Sequence, residues 1–308
     1  MAVHGQEGRS FDLKPELILV PAALIFCVAA AYTSMLYLVR AWNRSKKEPA
    51  PLTPNLFRVP GQSAAEKIDG LDSDIARQAA LILALALFLA LIYLCHLYVY
   101  KSAISALLIR IVLPAGSGLS VYILVKMLKL AKERRRERLG YTDEIVVGRE
   151  LERLISEGNH VYHDVPAENF NIDHVVVGRT GIFAVESGVR LKPAKTKRLD
   201  DATVEYNGQI LMFPSGDDYK TIARAERQAS WISDWISGAV GEQVAARAIV
   251  ALPGWFVKRT SAEGISVVNP EQFPSLFRHI KPRHLSDEMI TRIAAEIEQR
   301  CRNEKLLS

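Results

Sequence analysis

The segment Asn171-Ile172-Asp173-His174-Val175-Val176-Val177-Gly178-Arg179-Thr180-Gly181-Ile182-Phe183-Ala184-Val185-Glu186 places two acidic residues in a run otherwise suited to a buried sheet. Two apolar β-forming stretches flank a short turn bounded by glycines, which is the pattern of a hairpin. If Gly178 and Gly181 bracket that turn, Asp173 lies directly opposite Glu186. Side chains so opposed have Cβ atoms about 4.5–5.5 Å apart, and like charges at that spacing repel. Two carboxylates in an apolar sheet need a cation, and a hard divalent ion bound through oxygen, Mg²⁺ or Mn²⁺, would supply it.

The elements that must carry these carboxylates follow from the surrounding pattern. Val175 and Val177 point to one face of the hairpin and Val176, Phe183 and Val185 to the other, so helices are expected on both sides of its sheet. His174 alternates to the face opposite Asp173 and reads as a core histidine, while His160 and His163 have no partner at metal-ligand spacing. Upstream, Thr142 or Asp143 can cap a helix that Gly158 ends, with Val147, Leu151, Leu154 and Ile155 on its apolar face. Glu150 falls on or beside that face, where an unpaired carboxylate is costly. Downstream, Thr203–Tyr206 and Gln209–Phe213 flank Asn207-Gly208, a second hairpin signal. From about Lys220 to Ser237, Ile222, Ala225, Ala229, Ile232 and Ile236 keep helical spacing, and Trp231 and Trp235 read as core anchors rather than a base-stacking platform. Strands are expected over Ala248–Leu252 and Ile265–Val268, with Pro253-Gly254 between them. Ser286 then caps a last amphipathic helix with Met289, Ile290, Ile293, Ile297 and Cys301 inward. The soluble half is α/β.

Charge and hydropathy separate this half from the rest. Residues 1–140 hold 18 Lys+Arg against 10 Asp+Glu and residues 141–308 hold 21 against 24, so the pI near 9.0 belongs to the N-terminal half. Leu17–Val39 and Ala79–Tyr100 are runs of 23 and 22 residues without Asp, Glu, Lys or Arg, long enough to cross a bilayer. A third span is expected over about Ser102–Val125. It contains Arg110, which either snorkels to the interface or faces the other helices. The loop 40–78 is basic, and the densest positive run follows the third span, from Lys126 through Lys132, Arg134, Arg135, Arg136 and Arg138. The positive-inside rule sends both to the cytoplasm, which requires three crossings. The expectation is a membrane region over 1–140 (helices 17–39, 79–100 and 102–125, cytoplasmic loop 40–78), a domain over 141–285 and a C-terminal helix over 286–308. The N-terminus is then outside the cell membrane and the C-terminal half cytoplasmic. The basic run sets topology first, with anionic lipid or nucleic acid as further contacts. Cys27, Cys95 and Cys301 show neither metal-ligand spacing nor a disulfide framework.

Several motifs in order resemble one family. Gly148-Arg149-Glu150-Leu151, Asn171 to Val177, Gly181 to Glu186 and Arg227-Gln228-Ala229 are similar to the nuclease-related domain (NERD) family, a branch of the PD-(D/E)xK nuclease superfamily. Ala251-Leu252-Pro253-Gly254-Trp255-Phe256-Val257 and Asn269-Pro270 look like its later elements, and the resemblance covers roughly residues 141–275. It implies a PD-(D/E)xK nuclease-like mixed sheet flanked by helices, here preceded by a three-helix transmembrane region, and a Mg²⁺- or Mn²⁺-dependent phosphodiester hydrolase. By the same resemblance Asp173 and Glu186 would ligate the metal with the Ser187 carbonyl, Glu150 would assist from its helix, and Gln228 would orient a ligand or phosphate.

One departure bears on activity. The family pattern runs Glu-x-Lys, whereas Glu186-Ser187 is followed here by Gly188. Arg190 and Lys192 share the face of Glu186 in an extended strand, but lie about 13 and 20 Å away at roughly 3.3 Å per residue. Arg190, Lys192, Lys195, Lys197 and Arg198 form a basic stretch that either contacts nucleic-acid phosphates or is simply solvated. Three functions fit: a membrane-anchored nuclease facing the cytosol, a catalytically impaired relative that binds nucleic acid (DNA or RNA) or a partner protein at the inner membrane face, and a membrane sensor or scaffold. The chain has no P-loop, nucleophile elbow or zinc-finger spacing.

Overall fold

The computed structural model describes residues 58–98, 103–188, 202–280 and 284–307. The first apolar run, 17–39, the basic residues Arg40, Arg44, Lys46 and Lys47, and the stretch holding Arg190, Lys192, Lys195, Lys197 and Arg198 lie outside the described residues. The described chain forms two compact units, one of residues 70–134 and one of 58–69 with 135–307.

Two helices carry the first unit, α1 (Gln62–Tyr98) and α2 (Ala103–Glu152), each extending into the second. Both are long and apolar enough to cross a membrane, so of the three spans expected the described residues hold two. Their apolar side chains stay largely uncovered, including Leu83, Phe88, Leu107, Ile111, Val121 and Tyr122. So large an apolar surface is unusual on a water-facing monomer. Arg110 is exposed as well. Both helices differ in extent from the expectation. α1 begins at Gln62 rather than Ala79, because residues 62–78 contain no proline and simply add polar turns ahead of the apolar ones. α2 runs unbroken past Pro114 and through the basic run to Glu152, so the helix expected to start at Thr142 or Asp143 is only its last part. Thr142 Oγ1 donates to the Arg138 carbonyl one turn back, 3.0 Å away, instead of capping. The nearest breaker before it is Gly140, whose cost of about 1 kcal/mol does not end a helix of this length.

In the second unit, a five-stranded sheet is ordered β1 (His160–Pro166), β2 (Asn171–Gly178), β3 (Gly181–Ser187), β7 (Ala246–Ala251) and β9 (Ser266–Val268). The first three strands are antiparallel, whereas β7 lies parallel to β3 and β9 parallel to β7. A second sheet holds β4 (Thr203–Tyr206), β5 (Leu211–Phe213), β6 (Gly216–Asp218) and β8 (Phe256–Arg259), in the order β6-β5-β4-β8. Its β4–β5 hairpin turns at Asn207, whose Oδ1 accepts from the N–H groups of Gln209 and Ile210.

The hairpin β2–β3 is covered on both faces. Val175, Val177, Ile182 and Ala184 pack with Ile232 and Ile236 of α3 (Lys220–Val240) and with Ile293 and Ile297 of α5 (Asp287–Leu307). Val176, Phe183 and Val185 pack on the other side with Val147, Leu151 and Leu154, and with Phe273 and Phe277 of α4 (Phe273–His279). The Ser286 hydroxyl accepts from Met289 N at the start of α5. Arg300 from that helix lies 4.9 and 5.0 Å from the ring centroids of Trp231 and Trp235, which stack 5.9 Å apart. Both indoles therefore join α3 to α5.

Candidate functional site

β2 and β3 pair with Gly178 opposite Gly181 and His174 opposite Val185. One step further, the same register sets Asp173 against Glu186 on the side of the sheet that α3 covers. Glu186 is 2% exposed. Burial, and then the charge of Asp173, hold its carboxyl well above the usual carboxylate range, with Arg224 and Gln228 pulling the other way. Burial likewise pushes Asp173 up to about 6, against the Ser187 N–H that donates to its Oδ2 at 2.7 Å and against the nearby Arg224.

Two side chains one turn apart on α3 hold Glu186. Gln228 Nε2 donates to Glu186 Oε2 at 2.7 Å, and Arg224 forms an ion pair with Glu186 Oε1. Spacing of i and i+4 puts both on one helix face. Gln228 Oε1, on the same amide, is buried and has no hydrogen-bond partner among the described residues, so it is an acceptor left free beside the cluster. Arg224 keeps nearly half of its side chain exposed and thus links the buried carboxylate to solvent.

Glu150 does not join this group. Its carboxylate lies 2.8 Å from Arg153, one turn along the chain. The helical carboxylate whose charge acts on Asp173 and Glu186 is Glu144. Glu144 stands at i, i+3 and i+7 with Val147 and Leu151, in the same stripe of α2. Glu150 is turned about 120° from it at 100° per residue. That spacing was the available signal for Glu144. Arg224, one turn ahead of Gln228 on the same face, could have been found in the same way.

On the opposite face of the sheet, Ser187 Oγ lies 3.2 Å from His174 Nε2, and His174 Nδ1 lies 2.8 Å from His163 Nδ1 of β1. Both rings are buried, and burial lowers His163 to about 4 and His174 well below the ordinary histidine value. They are neutral partners in which one ring donates and the other accepts. Neither faces a metal-ligand set.

Gly188 explains where the usual lysine is missing. A Cβ there would come within 2.4 Å of Leu252 Cδ2, so the space beside the strand end is filled by a core side chain. Glu186 takes its cation, among the described residues, from α3, in Arg224. Among the described residues no three His, Cys, Asp or Glu side chains converge to hold a metal ion. The groups available to a divalent cation are therefore the Asp173–Glu186 pair and neighbouring neutral oxygens.

Residues 139–253 match the model of the nuclease-related domain (NERD). The match starts within α2, includes Glu144, Asp173, Glu186, Arg224 and Gln228, and ends just after β7. No curated protein and no solved structure matches the chain.

Proposed function

We propose that the second unit is a Mg²⁺- or Mn²⁺-dependent nuclease domain that hydrolyses phosphodiester bonds of DNA or RNA, anchored to a cell membrane and facing the cytosol. The observation that carries this reading is the pair formed by buried Glu186 and half-buried Asp173, one step beyond the His174–Val185 pairing, with the exposed arm of Arg224 on Glu186. The residues fit a hard divalent ion: the donors are oxygens, burial and the charge of Asp173 raise the Glu186 carboxyl, and Gln228 Oε1 is a buried acceptor without a partner. Asp173 and Glu186, with the Ser187 carbonyl, would hold it. When bound, the ion supplies Lewis acidity toward a phosphoryl oxygen and the attacking water.

The chain's own groups then have distinct tasks. Gln228 keeps the Glu186 carboxylate oriented through Nε2. The Ser187 N–H does the same for Asp173. Glu144, itself pushed up to about 8 by burial, is a further carboxyl whose charge raises Glu186 and which a bound cation would help to ionise. Arg224 offers a planar fork of donors to phosphate oxygens and stabilises the charge that develops on them. It takes the place of the lysine that Gly188 lacks.

A second reading is a non-catalytic relative that binds nucleic acid or a partner protein at the membrane. It is favoured by the same ion pair, since Arg224 already gives Glu186 a cation. Cleavage assays on the full-length protein in detergent, with Mg²⁺ or Mn²⁺, separate the two. The nuclease reading expects cleavage by wild type and a loss of roughly 100-fold or more in Asp173→Ala. Calorimetric uptake of Mn²⁺ by wild type without any cleavage supports the second reading, and a wild type that takes up no Mn²⁺ removes the first.

A further inference from the structure

Residues 58–63 lie far ahead of the matched region, yet belong to the same compact unit as the acidic pair. They are fastened at two points. The first is Asp164 of β1, which is 2% exposed and held at φ 51°, in a region that few residues other than glycine adopt. Its Oδ2 accepts from Arg58 Nη1 at 2.9 Å, from Ser63 N at 3.0 Å and from Ser63 Oγ at 2.6 Å. Asn171 Nδ2 donates to Asp164 Oδ1 at 2.8 Å and also reaches Ser63 Oγ at 2.6 Å. Three of the four donors to this carboxylate thus come from the upstream segment.

The second point is Glu144. Gly61 N donates to Glu144 Oε1 at 3.0 Å. Gly61 has φ 74°, and a Cβ there would meet the Tyr141 ring at 2.6 Å. Pro60 fills the space above Gly148, where a Cβ would come within 2.6 Å of its ring. The backbone amide is therefore brought to the carboxylate by two close approaches that larger residues would prevent. Asp164 matters electrostatically too, because its charge bears on both Asp173 and Glu144. Arg58, paired with Asp164 at 2.9 Å, offsets part of that charge.

We infer that residues 58–63 are a positioning strap of the acidic centre, in which Gly61 aims the Glu144 carboxylate while Arg58 and Ser63 anchor the strap on Asp164. The inference rests on the divalent-ion reading above. Neither Arg58 nor Gly61 touches the ion or the substrate, so both act through Glu144. The strap continues directly into α1 at Gln62, which ties the aim of this carboxylate to the start of an apolar helix.

The test is Mn²⁺ calorimetry on the full-length protein in detergent, with thermal melts as a check on folding. Gly61→Ala is expected to weaken Mn²⁺ binding roughly tenfold, as loss of a charge-assisted hydrogen bond does. Glu144→Ala is expected to do the same, and the double variant no more than either alone, because both changes break one contact. Arg58→Gln provides an independent weakening that Arg58→Lys restores, should Gly61→Ala fold poorly. Additive losses, or wild-type Mn²⁺ affinity in folded Gly61→Ala and Arg58→Gln, overturn the strap while leaving the ion site standing. A wild type that binds no Mn²⁺ overturns both.

Discussion

The hairpins β2–β3 and β4–β5 each place a glutamate against a cation, and they do so in opposite surroundings. Glu205 of β4 meets Lys258 of the parallel neighbour β8 at 2.6 Å, with about half of each side chain in solvent. Water screens that pair, and little depends on it. Glu186 meets Arg224 with 2% of its side chain exposed, a second carboxylate opposite it and a third acting from α2. Burying several like charges around one cation is unfavourable unless something else fills the deficit. The two glutamates are thus distinguished by their neighbours rather than by the hairpins that carry them.

The contrast can be broken most strongly at Arg224. Arg224→Ala is expected to lower kcat in a nuclease assay by roughly 10²- to 10³-fold, the usual cost of removing a group that stabilises transition-state charge. Its Mn²⁺ affinity should hold or rise, since a competing cation is gone. A fall in Mn²⁺ affinity with unchanged kcat would make Arg224 a scaffold residue like Lys258. Acid gives a second handle. His163 faces neutral His174, with Glu152 and Asp164 nearby, and burial sets its folded value at about 4 against 6.5 unfolded. The unfolded state binds more protons between those values, so stability falls as pH drops through 6.5 toward 4. The loss is about 3 kcal/mol. The stability difference between wild type and His163→Asn in denaturant melts should change by this amount across that window, the raised carboxyls of Asp173 and Glu144 and the depressed His174 being present in both.

Gly188→Lys sharpens the comparison from the other side. Leu252 must move to admit the new side chain, so a destabilisation of about 1–3 kcal/mol is expected, with no gain in cleavage. A clear gain in cleavage would mean that the strand end, and not α3, is where the missing cation belongs. The smallest effect is expected at the exposed pair: Lys258→Ala should leave melting temperature and Mn²⁺ binding unchanged within error.

What could be read from the chain beforehand follows the range of the interactions. The β2–β3 register was legible because two glycines and a period of two constrain it within sixteen residues, and the inward side of α5 because its apolar spacing is regular. β1 was not, since His160, Tyr162, His163 and Asp164 hide a strand under polar side chains whose partners lie in β2, in α5 and upstream. Glu150 drew attention because it lies three residues from Val147 and four from Leu154, within Gly148-Arg149-Glu150-Leu151. Glu144, half-buried like Glu150, lies in line with Val147 and Leu151 on α2 and is the one that takes the Gly61 N–H. The strap contacts join residues about 100 positions apart, and no local pattern encodes them.

The seat of the last helix has an optical consequence. Arg300 rests against two parallel indoles at once. Unseating α5 strips that guanidinium from both rings together, so the ultraviolet emission of Trp231 and Trp235 changes in one step. The protein therefore carries an intrinsic, label-free gauge of whether its C-terminal helix is docked.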